Sequence, residues 1–217
     1  MARQFAPSIR RPLRRLAAAA ILLAAGFLAA VPSAAAGPAS AVIEKLNAEF
    51  LKVMQNGPAL GYDGRYKELE PVLSDSFDFA TMARVSAGQH WNEMTEAQQT
   101  KLVDSFRRYS LAVYAARFKD YSGEKFEVLG EEAKQKGTVL VQNQIVPSNG
   151  EPIRIDYLLR PDGGMLRIID VFLKSSVSEI AVRRSEFAEV IGSDGFDALI
   201  ATLEQRILDL QAGKKVE

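Results

Sequence analysis

The chain has 217 residues, with 27 basic and 27 acidic side chains, one histidine and no cysteine. Without thiols it can hold neither disulfides nor thiolate zinc sites, and without clustered basic charge it has no footprint for nucleic acid. The basic residues are also unevenly spread. Residues 1–15 carry Arg3, Arg10, Arg11, Arg14 and Arg15 and no acid, an apolar run follows at 16–31, and Ala34 and Ala36 stand in A-x-A places. This is the pattern of a removable export signal ending near Ala36, and its apolar run is shorter than the roughly 20 residues that span a bilayer. Arg10 and Arg11 loosely match a twin-arginine signal, so the choice between Sec and Tat export stays open. Once residues 1–36 leave, 22 basic residues face 27 acidic ones, a net charge near −5. The expected product, residues 37–217, is one soluble domain outside the cytoplasm, large enough to rest on its core alone.

Within that domain, Val42, Ile43, Leu46, Phe50, Val53 and Met54 recur at helical spacing over 39–56. A loop carrying Gly57, Gly61 and Gly64 is expected next, then short helices over 65–73 and 78–87, the second closed by Gly88. Thr95 and Gln98 fit a capping box that opens a long helix reaching about Tyr121, with Leu102, Val103, Phe106, Tyr109, Val113, Tyr114 and Phe118 on a broad apolar face. Four strands follow at 125–130, 137–146, 152–160 and 165–173, separated by turn clusters at 148–150 and 162–164. In the third, Ile153, Ile155, Tyr157 and Leu159 alternate with Arg154, Asp156, Leu158 and Arg160, so one sheet face is apolar. Helices over 178–191 and 194–210 end the domain, the second with Asp194 at its cap, and the polar tail 212–217 is expected to fray. The plan is α+β: a four-stranded curved antiparallel sheet with N-terminal and C-terminal helices packed on one side.

Convergent ionisable groups are few. His90 is the only imidazole, and no H-E-x-x-H, EF-hand, G-x-S-x-G or phosphate-loop pattern is present. No metal or cofactor is expected. His90 could act with Asp170 in a pocket enzyme, or serve as a polar surface or capping group. Asp170, inside the apolar run 168–172, could pair with Arg183 or Arg184, or face solvent. The remaining large apolar side chains describe an ordinary core as well as they describe a cavity wall.

The segment Phe77-Asp78-Phe79 with Met82, Arg84, Gly88, Trp91, Thr95, Gln98, Phe106 and Tyr114 resembles the first half of the MlaC-like toluene-tolerance family of periplasmic lipid-binding proteins. The second half is similar too, through Ile168-Ile169-Asp170-Val171, Ser176-Val177-Ser178, Arg184-Ser185-Glu186-Phe187 and Gly195-Phe196-Asp197. The combination Arg183-Arg184-Ser185-Glu186-Phe187 looks most like the hopanoid-biosynthesis-associated HpnM branch. The resemblance implies a periplasmic carrier, not an enzyme, with a pocket between sheet and helices for the tails of a phospholipid or for a hopanoid. It also implies transient docking to an inner-membrane lipid transporter and an outer-membrane acceptor complex. For the pocket it nominates Phe79, Met82, Val103, Phe106, Tyr114, Val141, Ile155, Tyr157, Ile168 and Phe187, with Arg84 and Arg184 as mouth or scaffold residues. The competing readings are a small pocket enzyme using His90 or Asp170, and a ligand-free assembly protein of the cell envelope.

Overall fold

The computed structural model describes residues 37–214. The export signal expected at 1–36 and the end of the tail, 215–217, lie outside the described residues. Four helices come first: α1 (Pro38–Gln55), α2 (Gly57–Ser76), α3 (Phe79–Ala87) and α4 (Glu96–Arg117). The strands β1 (Lys125–Ala133), β2 (Val139–Val146), β3 (Ile153–Asp162), β4 (Met165–Leu173) and β5 (Val177–Ser178) follow, and α5 (Glu179–Asp194) and α6 (Phe196–Gln211) come last.

Caps set several of these boundaries. Thr95 and Gln98 form the complete capping box at the start of α4, while Asp78 and Ser178 accept bonds from the Thr81 and Ala181 N–H groups at the starts of α3 and α5. The last helix departs from its expected start. Asp194 ends α5, where its carboxylate accepts a bond from Ser193 Oγ at 2.6 Å, and Gly195 takes the turn between the two helices at φ 86. That turn needs positive φ, which glycine supplies at least cost. Where a loop is expected before residue 65, the chain is helical from Gly57 and breaks once, at Gly61. α4 stops at Arg117, short of Tyr121. In the described part of the tail, Lys214 bonds Asp209 through its backbone N–H at 2.9 Å and its ammonium at 2.8 Å.

The strands make one antiparallel sheet in sequence order, with five members rather than four. The extra strand, β5, pairs Phe172 with Ser178 and Leu173 with Val177; two residues are too few to show alternation in a sequence. The turn before it holds Lys174 and Ser175 in the left-handed region, at φ 52 and 59. α1 packs on β1 and β2, and α2, α3 and α5 pack on β4. The helices thus cover one face of the sheet, as the apolar alternation requires.

α4 is different. It packs chiefly on α2, α3 and α6 rather than on the sheet. Its far end is pinned by α2, whose buried Arg65 donates to Ala115 O at 2.8 Å and to Gly57 O at 2.9 Å, bonds from a charged donor worth about 1.5–3 kcal/mol each. Gly57 also comes close to the segment after α4: a Cβ there would overlap Lys119 O. Both atoms are on backbone segments, so neither can swing away. Gly57→Ala is therefore expected to cost about 1–3 kcal/mol, read as a lower urea midpoint at unchanged slope.

Candidate functional site

Two periodicities build the site. On α4, Phe106, Tyr109, Ser110, Val113, Tyr114 and Arg117 recur at steps of three and four and share one face. On β3, Ile153, Ile155 and Tyr157 alternate toward that face. Because α4 packs chiefly on its neighbouring helices, the two surfaces enclose a cavity of about 390 Å³. Phe77 and Phe118, Met82 of α3, Ile145 of β2, Val171 and Leu173 of β4 and Ile180 of α5 complete its apolar wall.

The cavity is deep and open at one end. Phe106 and Arg117 lie about 16 Å apart along the helix axis, and Ile153 and Tyr157 about 13 Å apart along the strand. Tyr157, Phe106 and Met82 are buried, whereas Ile153 is 51% exposed. The register sets Ile145 opposite Ile153 and Leu173 opposite Ile155. The mouth therefore lies where β3 begins and β4 ends, at the last turn of α4.

An aromatic seam stiffens the wall. Phe187 meets Phe106 edge-on at 6.2 Å, Phe106 meets Phe79 at 6.4 Å, and Phe79 stacks on Phe77 at 5.4 Å. Phe77 contacts Tyr114 at 5.7 Å, and Tyr114 stacks on Phe50 at 5.1 Å. Such pairs add about 0.5–1.5 kcal/mol each beyond their burial. Between the two phenylalanines, Asp78 accepts Thr81 N–H at 2.9 Å and two Arg160 bonds at 3.0 and 2.6 Å, and its own N–H donates to Ile168 O at 2.9 Å. One residue thereby ties α3 to β3 and β4.

Four charged residues, Arg117, Lys174, Arg183 and Glu179, join the lining, with Arg117 at the mouth end of α4 and Arg183 farther in. Arg183 is held by Glu186 at 2.6 Å and Glu179 at 3.6 Å, and its guanidinium lies 5.2 Å from the centre of the Tyr109 ring. Burial raises the Tyr114 hydroxyl's pKa above the usual tyrosine value, with Arg117 pulling it down and Glu179 adding to the rise. Tyr114 stays neutral at physiological pH.

Of the residues nominated from the sequence, Met82, Phe106, Tyr114, Ile155 and Tyr157 line this cavity. Phe79 and Phe187 sit one layer behind it, against Phe106. Val141 and Ile168 are fully buried in the core, and Val103 packs at its edge. Arg84 and Arg184 are exposed and lie outside the lining; Arg184 covers Gly88, where a Cβ would come 3.0 Å from its Nε. Tyr109, Val113 and Arg117 were legible as neighbours of Phe106 and Tyr114 at helical spacing, whereas Lys174 and Arg183 carried no such signal.

His90 and Asp170 do not meet. His90 Nδ1 lies 3.0 Å from Glu93 Oε2. Asp170 pairs with neither arginine: it accepts Ser178 Oγ at 2.6 Å, Ile180 N–H at 3.2 Å and Val171 N–H at 2.8 Å, which docks the start of α5 on β4. Burial raises its pKa, and these three bonds oppose the rise. Among the described residues no three His, Asp or Glu side chains gather as a metal site, and no helix is long and apolar enough to cross a membrane.

Fold and cavity together define an α+β protein that encloses an apolar chamber between a sheet and a helical layer. The chain belongs to the MlaC protein family, whose model matches residues 44–205. Among solved structures it is similar to a phospholipid-binding protein from Ralstonia solanacearum in complex with a phospholipid, with a TM-score of 0.70 and 20% identity over 80% of this chain and 99% of that one. At that identity the likeness speaks for the fold. Comparison with curated protein sequences gave no match.

The Asp78 junction sets a pH dependence. Burial alone would raise its pKa, but the bonds from Thr81 and Arg160 outweigh burial and hold it below the ordinary aspartate value. A carboxylate whose folded pKa is depressed stabilises the fold fully above its unfolded pKa, about 3.9, and loses that contribution as pH falls through the folded value. Wild-type stability is thus expected to fall more steeply than that of Asp78→Asn below about pH 4, with the two converging at the acid end, in denaturant titrations across that range.

Proposed function

We propose that this protein is a lipid carrier of the periplasm, in which the cavity between α4 and the sheet holds hydrocarbon while the polar end of the lipid stays at the mouth. The carrying observation is the cavity itself: deep, walled by apolar side chains, and open at one end. Family membership and the phospholipid bound by the similar Ralstonia solanacearum protein support the reading. Exposing a two-tailed lipid to water costs tens of kcal/mol, at about 0.8 per methylene. A pocket as apolar as the membrane interior removes that barrier and leaves transfer nearly neutral. Direction must then come from partners, an inner-membrane transporter and an outer-membrane acceptor that dock transiently.

A cavity of about 390 Å³ lies in the range of about 300–1,000 Å³ usual for ligand pockets. Two ligand classes fit, a phospholipid and, on the sequence of residues 183–187, a hopanoid. In this reading residues 1–36 are the export signal and residues 37–217 the working domain. A carrier needs no catalytic pair, and His90 and Asp170 are each engaged elsewhere.

Native mass spectrometry of the mature protein from its own periplasm, with lipid extraction, tests the reading. A stoichiometric adduct of lipid mass is expected, and its mass chooses between phospholipid and hopanoid. A bare protein that also refuses added lipid would overturn the carrier. Val113→Trp should fill the cavity from α4 and abolish the adduct while melting within about 4 °C of wild type, a shift that corresponds to roughly 1 kcal/mol or more.

A further inference from the structure

The mouth contains two cations that the fold does not neutralise. We infer that Arg117 and Lys174 form a cationic rim that selects lipids carrying an anionic phosphate over neutral lipids with the same tails; this rests on the lipid reading of the cavity. Both residues line the cavity and are exposed. Among the described residues neither takes part in an ion pair, whereas Arg183, farther in against Tyr109, is neutralised by Glu179 and Glu186. The rim therefore carries unbalanced positive charge in a domain whose expected net charge is near −5.

The backbone that carries each cation is also held in place. The end of α4 that bears Arg117 is clamped through Arg65 and Ala115 O at 2.8 Å. The main chain at Lys174 is fixed by its N–H, which donates to Arg154 O at 3.0 Å, and it occupies a left-handed backbone position, φ 52, that glycine would fill with less strain. Strained non-glycine residues gather where a side chain is needed for function. Arg117 also meets the negative end of the α4 dipole, which accounts for a cation there but not for Lys174. A phosphate offers charge-assisted bonds to both groups, Arg117 through its planar fork and Lys174 as a point charge. A diacylglycerol or an uncharged hopanoid offers the rim no such partner.

The test is a loading competition. Phosphatidylglycerol and diacylglycerol with identical chains are presented together in neutral detergent micelles to the mature protein, and the two adducts are counted by native mass spectrometry. Wild type should favour phosphatidylglycerol by about tenfold, the size expected of hydrogen bonds to charged groups, and less at high salt. The Arg117→Gln, Lys174→Gln double variant should bring the ratio within about twofold. Lys174→Gly, which relaxes the turn, should fold as well as wild type and lose part of the preference. Lys101→Gln, about 24 Å away along α4, should lose none. Inorganic phosphate alone, titrated by calorimetry, should give no heat; binding without a tail would make the rim an anion site independent of the cavity and overturn the inference. A wild type without preference, or one whose preference survives in the double variant, would overturn it too while leaving the carrier intact. Loading of neither lipid would sink the carrier reading and the rim together.

Discussion

A single carboxylate holds the architecture in register. Asp78 caps α3, receives two bonds from Arg160 on β3, and through its backbone N–H bonds β4 at Ile168. Removing the bonds from Thr81 or Arg160 leaves a nearly buried carboxylate without full compensation, the costly case for polar groups in a core. The bonds also fix the rings on either side. Phe77 and Phe79 stack at 5.4 Å across the junction, so the aromatic seam behind the cavity is anchored by the charge pair and not by packing alone.

That anchoring lets the protein leave space unfilled. An apolar void costs stability in proportion to its volume, and an ordinary core collapses around one. Here collapse is opposed because α4 is held from the side by α2, α3 and α6, while α1, α2, α3 and α5 rest on the sheet. Arg65 and the glycine contact at Gly57 set the height of one end of α4, and the chain from Asp78 through Phe106 to Phe187 sets the other. The chamber is thus a consequence of where α4 is tethered. A bound hydrocarbon would restore the missing contacts, which couples loading to stability.

Polarity divides along the length of the same chamber. Its deep end presents Met82, Phe106 and Tyr157 and no unpaired charge, and even the phenol of Tyr114 is kept neutral by burial. Its mouth presents Arg117 and Lys174, and the one cation farther in, Arg183, is paired. An amphiphile has that same division, with an apolar body and a polar tip, and can enter without stranding either end in the wrong medium.

Much of this was legible from the chain alone. The capping box at Thr95 and Gln98, the shared face of Phe106 and Tyr114, and the alternation of Ile153, Ile155 and Tyr157 are local, periodic patterns, and each appears where the sequence puts it. Which of two inward-facing layers touches and which stands apart was not legible. Periodicity gives the direction of a side chain, but the distance to the facing layer depends on contacts between residues far apart in sequence, such as Arg65 with Ala115 and Asp78 with Arg160. Hence Val141, Ile168 and Phe187 became core or backing while Ile155 and Tyr157 became wall. Lys174 reached the mouth only because a left-handed turn and a two-residue strand redirect the chain there. The sequence by itself determined the elements, their caps and their apolar faces; only the tertiary structure decided that two of those faces enclose a chamber, because the gap between them is set by tethers and not by pattern.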